Sequence, residues 1–192
     1  MVSTVESIEP TDEQLAAEAA RERSDGPAFR TLLERHREHV WRICFRLLGN
    51  EHDAADAAQD VFVSLFLQRA EFAGRSKYST WVHGIAVRTC LSQRRSRGRR
   101  RLRETVATEE TLEQSSSSAN ATDISLSLDL TRMLEMLDEE DRALVIMKYA
   151  EGYEYEELSE VFGLSVSACK MRVSRVRERM RTRFADRTST NH

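Results

Sequence analysis

Proline and glycine are scarce, at 2 and 7 of 192 residues, which argues against a turn-rich β architecture. The cysteines, Cys44, Cys90 and Cys169, are far apart and form no CxxC pair. That spacing excludes a disulfide scaffold or a zinc ribbon and leaves small core hydrophobes in a reducing compartment. No segment approaches the roughly 18 apolar residues of a membrane helix, and no N-terminal apolar run follows a basic stretch. Neither membrane insertion nor secretion is therefore expected, and the sequence predicts a cytoplasmic protein. The stretch His36-Arg37-Glu38-His39 lacks the HExxH spacing, there is no glycine-rich phosphate loop, and the five histidines have no partners at ligand spacing. The expectation is no metal, no cofactor and no enzyme.

What is abundant is Arg, Glu, Leu and Ala, with 40% hydrophobic and 32% charged residues, so an all-α fold is expected. The net charge of −3 conceals opposed segments. Acids crowd the first 25 residues and Glu104 to Glu113, whereas Arg88 to Arg103 and Lys170 to Arg187 are strongly basic. A polyanion must therefore meet particular patches.

Residues 1–10 read as a disordered tail. Thr11 and Gln14 have capping-box spacing and predict a helix from Asp12 to about Arg23, ending before Asp25-Gly26-Pro27. From Phe29, the residues Leu32, Leu33, His36, Val40, Ile43, Cys44, Leu47 and Leu48 recur at helical spacing until Gly49. Asn50 caps a third helix with the apolar stripe Ala54, Ala57, Ala58, Val61, Phe62, Leu65 and Phe66. After a polar loop, Trp81, Val82, Ile85, Ala86 and Cys90 mark a fourth helix that runs into the arginines, so a first module spans 11–103. Residues 104–124, acidic and serine-rich without apolar periodicity, read as a flexible linker to a second module, 125–192. The expected architecture is two small helical modules.

Within the second module, Asp138 with Asp141 starts a helix that Gly152 ends; a short helix then reaches Phe162, followed by Gly163 and a fresh cap at Ser165. Helix, glycine turn and helix make a helix-turn-helix. On its last helix Cys169, Val173, Val176 and Met180 share one face, while Ser167, Lys170, Met171, Ser174 and Arg175 project from the other. Short donors and cations at the start of such a helix suit the major groove.

In the first module, Asp53, Asp56, Gln59 and Asp60 form a polar row on the third helix. The loop and following turn offer Phe72, Arg75, Lys77, Tyr78 and Trp81, a mixture suited to stacking unpaired bases and holding phosphates. Four strings, Asp53 to Phe62, Tyr78 to Ala86, Leu137 to Arg142 and Tyr155 to Arg177, in this order, closely resemble the extracytoplasmic-function class of bacterial sigma factors, subunits of RNA polymerase. The resemblance spans about Asp12 to Phe184 apart from the linker. It implies that Asp53, Asp56, Gln59, Asp60 and Phe62 dock on core RNA polymerase. It assigns −10 DNA binding and melting to Phe72, Arg75, Lys77, Tyr78, Thr80, Trp81, Arg88, Arg94 and Arg95. The −35 element would be read by Ser167, Lys170, Met171, Ser174 and Arg175, with Arg172 towards phosphate. Core RNA polymerase, promoter DNA and an anti-sigma factor are the implied partners.

Departures from the family pattern bear on melting and promoter choice: Gly84 and Arg88 replace a larger polar residue and an Asn, and Ser167-Ala168-Cys169 replaces Gly-Thr-Val. The competing reading is a conventional helix-turn-helix regulator, which leaves the Asp53 and Tyr78 strings unexplained.

Overall fold

The computed structural model describes residues 9–22, 26–104 and 133–189, with side chains described through 98 and 183 in the latter two stretches. Residues 1–8 of the expected tail, 105–124 of the linker and 125–132 at the start of the second module lie outside them. Among the described residues there is no strand, and the chain forms α1 (Asp12–Ala19), α2 (Pro27–Leu48), α3 (Glu51–Gln68), α4 (Tyr78–Glu104), α5 (Glu139–Tyr149), α6 (Tyr155–Phe162) and α7 (Val166–Ser189). A 3-10 turn, Arg69–Glu71, follows α3.

Local chemistry sets most boundaries. Thr11 and Gln14 form the expected capping box on α1, the Thr11 N–H donating to Gln14 Oε1 at 2.9 Å. This helix stops at Ala19, short of the expected Arg23. The reason lies in Glu22, whose carboxylate accepts from the Ala28 and Phe29 N–H groups at 3.1 and 3.3 Å and so caps the next helix. That cap, with Pro27 in the first turn, starts α2 two residues earlier than the apolar repeat suggested. Gly49, at φ +84°, ends it in a left-handed conformation that disfavours a side chain. Asn50 and Asp138 cap α3 and α5, each accepting from the N–H three residues on at 2.9 Å.

Helices α2, α3 and α4 pack around Val40, Ile43, Cys44, Ala54, Ala57, Val61, Val82, Ala86 and Cys90, all essentially inaccessible. The alanines let α3 approach closely, and each larger aliphatic contributes about 1.5–3 kcal/mol by burial. α1 closes one side through Leu15, Ala16 and Ala19. Its Glu13 also accepts from the Tyr78 N–H at 3.2 Å, tying α1 to the start of α4. All three cysteines are buried free thiols, as their apolar positions predict.

The second module packs α5, α6 and α7 through Leu144, Met147, Leu158, Val161, Cys169 and Val173. These residues continue the apolar cluster of the first module, so the two modules meet in the folded chain. A smaller cluster, Leu137, Val145 and Val176, sits at the far side of α5 and α7. Among the described residues, no helix is long and apolar enough to cross a membrane.

Candidate nucleic-acid interface

The helix-turn-helix is built by α6, Gly163 and α7. Gly163 takes φ +64°, and Ser159 Oγ donates to the Leu164 carbonyl at 2.6 Å, closing the turn from inside. Ser165 starts α7, its hydroxyl accepting from the Ala168 N–H at 3.2 Å. Cys169, Val173 and Val176 are buried, while Ser167, Lys170, Met171, Ser174 and Arg175 are exposed. Lys170 Nζ lies 5.5 Å from the centre of the Tyr155 ring, and Arg175 Nη2 lies 3.3 Å from Met171 Sδ. The exposed row is thus a set of cations and short donors whose long side chains already rest on neighbours.

Arg172 behaves differently. It turns to the first turn of α5, with Nε 2.9 Å from Asp141 Oδ1 and Nη1 3.3 Å from Glu140 Oε2. Arg179 reaches the other Asp141 oxygen. Burial opposes ionisation of Asp141, but the hydrogen bonds that Arg172 and Arg179 donate to it outweigh that and hold the carboxyl below the ordinary range. A residue expected only to begin a helix therefore also anchors the reading helix. An opening lined by Asp141, Arg172, Arg175, Arg179 and Arg183 runs along this edge of α7.

On α3 the predicted residues Asp56, Gln59 and Asp60 are exposed, as are Glu51 and His52 in its first turn. Asp60 accepts from Gln93 of α4 at 3.1 Å. Asp53 is set apart from them: it is buried, bonded by Asn50 and held by both terminal nitrogens of Arg97. Phe62 is half-buried against the core.

Phe72, Tyr78 and Trp81 form one aromatic group, with ring centres 5.1 to 5.6 Å apart. Tyr78 is its buried anchor and Thr80 is buried too, whereas Phe72 and Trp81 are partly open and Arg75 and Lys77 are exposed. Along α4, a Cβ built on Gly84 would lie 3.1 Å from the Arg88 guanidinium. The two departures from the family pattern are thus one feature: the missing side chain leaves the seat on which Arg88 lies. Burial disfavours the charge of Arg88, and no acid among the described residues is shown paired with it. Its neighbours further on are paired, Arg94 with Glu139 at 3.5 Å and Arg95 with Glu140 at 2.5 Å.

Sequence reasoning missed a polar cluster beneath this face. His36 Nε2 meets Asp12 Oδ2 at 2.7 Å, His39 stacks on His83 at 4.2 Å between centres, and His83 Nδ1 shares a hydrogen bond with the Tyr153 hydroxyl. Burial, reinforced by His39, His36 and Arg42, pushes the His83 pKa down to about 3. Glu151, its side chain only 4% exposed, lies 3.2 Å from His39 and 2.6 Å from Arg46. No spacing in the sequence links residues more than a hundred positions apart.

The family models decide the identity of this arrangement: Sigma-70 region 2 matches residues 32–100, and Sigma-70, region 4 matches 127–180. The chain belongs to the sigma-70 family. Its relatives place it in the extracytoplasmic-function class, and it is an RNA polymerase sigma factor. It is 28% identical over 187 residues to the ECF RNA polymerase sigma factor SigE of Mycolicibacterium smegmatis, covering 95% of this chain and 72% of that one. It is 27% identical over 173 residues to SigW of Bacillus subtilis, covering 85% and 92%. The fold matches that of RpoE from Bartonella quintana, solved with the anti-sigma factor NepR, at a TM-score of 0.63 and 24% identity over 80% of this chain and 94% of that one. CnrH, solved with the cytosolic domain of CnrY, matches equally at 0.63 and 24% over 91% and 97%. Both regions of a sigma factor are present in order, which the conventional-regulator reading does not provide.

Proposed function

We propose that this sigma factor brings core RNA polymerase to promoters whose −35 element is read by Ser167, Lys170, Met171, Ser174 and Arg175 and whose melted −10 strand is held by α4 and the loop before it. The observation that carries the reading is the exposed face of α7, polar and cationic outside and fully apolar inside. Lys170 and Arg175 are long enough to reach base edges in the major groove, and Met171 can only make apolar contacts such as with a thymine methyl. Arg172, being held by acids of α5, would serve the helix before it serves a phosphate.

On the other module, Trp81 and Phe72 have aromatic surface left open, with Arg75 and Lys77 beside them. Extruding a base costs a few kcal/mol of stacking, which an aromatic surface and cations can offset. Arg88, Arg94 and Arg95 extend the cationic face along α4. Asp56, Gln59 and Asp60, with Phe62 behind them, suit a basic partner and are assigned to core polymerase; Asp53 contributes by fixing the start of α3. The domain assignment follows: 11–103 binds core and the −10 element, 125–192 the −35 element. The chain catalyses no reaction itself, acts in the cytoplasm, and is a target for an anti-sigma factor, a reading supported by the company in which its structural neighbours were solved.

The test is run-off transcription with purified chain, bacterial core polymerase and a genomic library of upstream regions. Discrete starts that disappear with Asp56→Arg and with Lys170→Ala support the reading. Absence of starts, together with tight duplex binding by the chain alone, overturns it.

A further inference from the structure

Gly84 is buried in the interior of α4 without the positive φ that Gly49, Gly74, Gly152 and Gly163 adopt. Neither a turn nor a cap requires glycine there, and glycine within a helix weakens it relative to alanine. What the missing side chain leaves is room. A Cβ on Gly84 would stand 3.1 Å from Nη1 of Arg88 and 3.7 Å from its Cζ and Nη2, so the guanidinium lies against the backbone of the preceding turn. Helix side chains lean towards the N-terminus, and Arg88 accordingly delivers its charge one turn before its own Cα.

That placement gives the guanidinium an aromatic neighbour. Trp81, Arg88 and Arg95 follow one another at seven-residue intervals, two turns each, and share a face of α4. The Arg88 fork, lying over Gly84, is three residues or about 4.5 Å along the axis from the Trp81 Cα. Successive bases of one strand rise by about 3.4 Å. A base stacked on the open side of Trp81 therefore has its neighbour within reach of the fork.

The other cations of this face are less suited to reading a base. Lys77, Arg94 and Arg95 each pair with an acid of α5 or α6, at 3.4, 3.5 and 2.5 Å, and Arg75 is exposed in the loop. Arg88 is shown with no acid among the described residues and is partly desolvated, so its donors are available. Phosphate can be held by any mobile cation. A planar fork held on a seat matches a pair of acceptors in fixed geometry, and less ordering is left to do on binding. Guanine offers such a pair, O6 and N7, on one edge.

We propose that Arg88, seated on Gly84, makes this sigma factor select guanine in the −10 element, at the base adjoining the one stacked on Trp81. The proposal rests on the assignment of α4 to the −10 strand. Gly84 is then a positioning residue, and Arg88 the residue that touches the base.

The experiment uses the full chain with core polymerase on a promoter recovered in the run-off selection, its −10 region randomised and its −35 element kept. Sequencing the transcripts gives the base preference at each position for wild type, Arg88→Ala, Arg88→Lys, Gly84→Leu and Trp81→Ala, and circular dichroism reports folding. Wild type should favour guanine roughly tenfold or more at one position. Arg88→Ala and Arg88→Lys should flatten the preference there and leave the other positions as they were, since a lysine lacks the fork. Gly84→Leu, which fills the seat with a good helix former, should flatten it while the helical signal is kept. An even loss of output over all sequences in Arg88→Ala, with the preferences preserved, means a phosphate contact and overturns the proposal. So does a preference that survives in Arg88→Ala, or a wild type with no guanine preference. A full preference in Gly84→Leu overturns the seat. If Trp81→Ala abolishes the starts while Arg88→Ala keeps every preference, the −10 assignment stands and the guanine reading fails. If both leave output at the wild-type level for all sequences, the −10 assignment itself fails.

Discussion

Acidification should weaken the first module through one buried side chain, His83. The residue is 4% exposed, stacked on His39 and bonded to Tyr153, with Nε2 lacking a partner, so it folds in the neutral form. Its pKa falls from an ordinary 6.5 to about 3. Below pH 6.5 the unfolded chain therefore binds a proton that the folded chain does not, and stability falls as pH falls until about pH 3. The slope approaches about 1.4 kcal/mol per pH unit, so lowering pH from 7 to 5 costs about 2 kcal/mol. His39, also lowered by burial, adds in the same direction. Asp12 and Asp141 are held below the ordinary carboxylate range and stay charged throughout this window. Urea unfolding followed by the fluorescence of Trp41 and Trp81, both in the first module, at pH 7 and 5 measures the loss. His83→Gln should abolish most of it. If His83→Gln retains the full difference, or wild type shows none, the neutral buried histidine is the wrong account.

Two further outcomes follow from single contacts. Asp141→Asn keeps the shape but removes the charge shared by Arg172 and Arg179; the second module should lose about 2 kcal/mol, and α7 should lose affinity for −35 duplex. An unchanged far-UV melting midpoint for the second module counts against this anchor. Gly84→Ala should stabilise α4 by about 0.5–1 kcal/mol through helix propensity while crowding the Arg88 seat, so permanganate footprints of the melted region should weaken as they do with Arg88→Ala. Footprints unchanged in Gly84→Ala but lost in Arg88→Ala would show that the seat does not matter.

The sequence by itself determined what depends on near neighbours along the chain. Capping at Thr11, Asn50, Asp138 and Ser165, termination at Gly49 and Gly163, and the inward set Cys169, Val173 and Val176 all follow from spacing, because caps and helix faces are local. The family resemblance was legible for the same reason, since its motifs are short contiguous strings. What the tertiary structure alone decided is which charges are free. Asp53, Arg172, Arg94, Arg95 and Lys77 look like surface charges in the sequence, yet each finds an opposite charge from another helix. Glu22 leaves no local sign that it caps α2. The pairing of Glu151 with Arg46, and of Tyr153 with His83, joins positions with no fixed spacing. Only packing brings such groups within a few ångströms, where charge and burial can act on them.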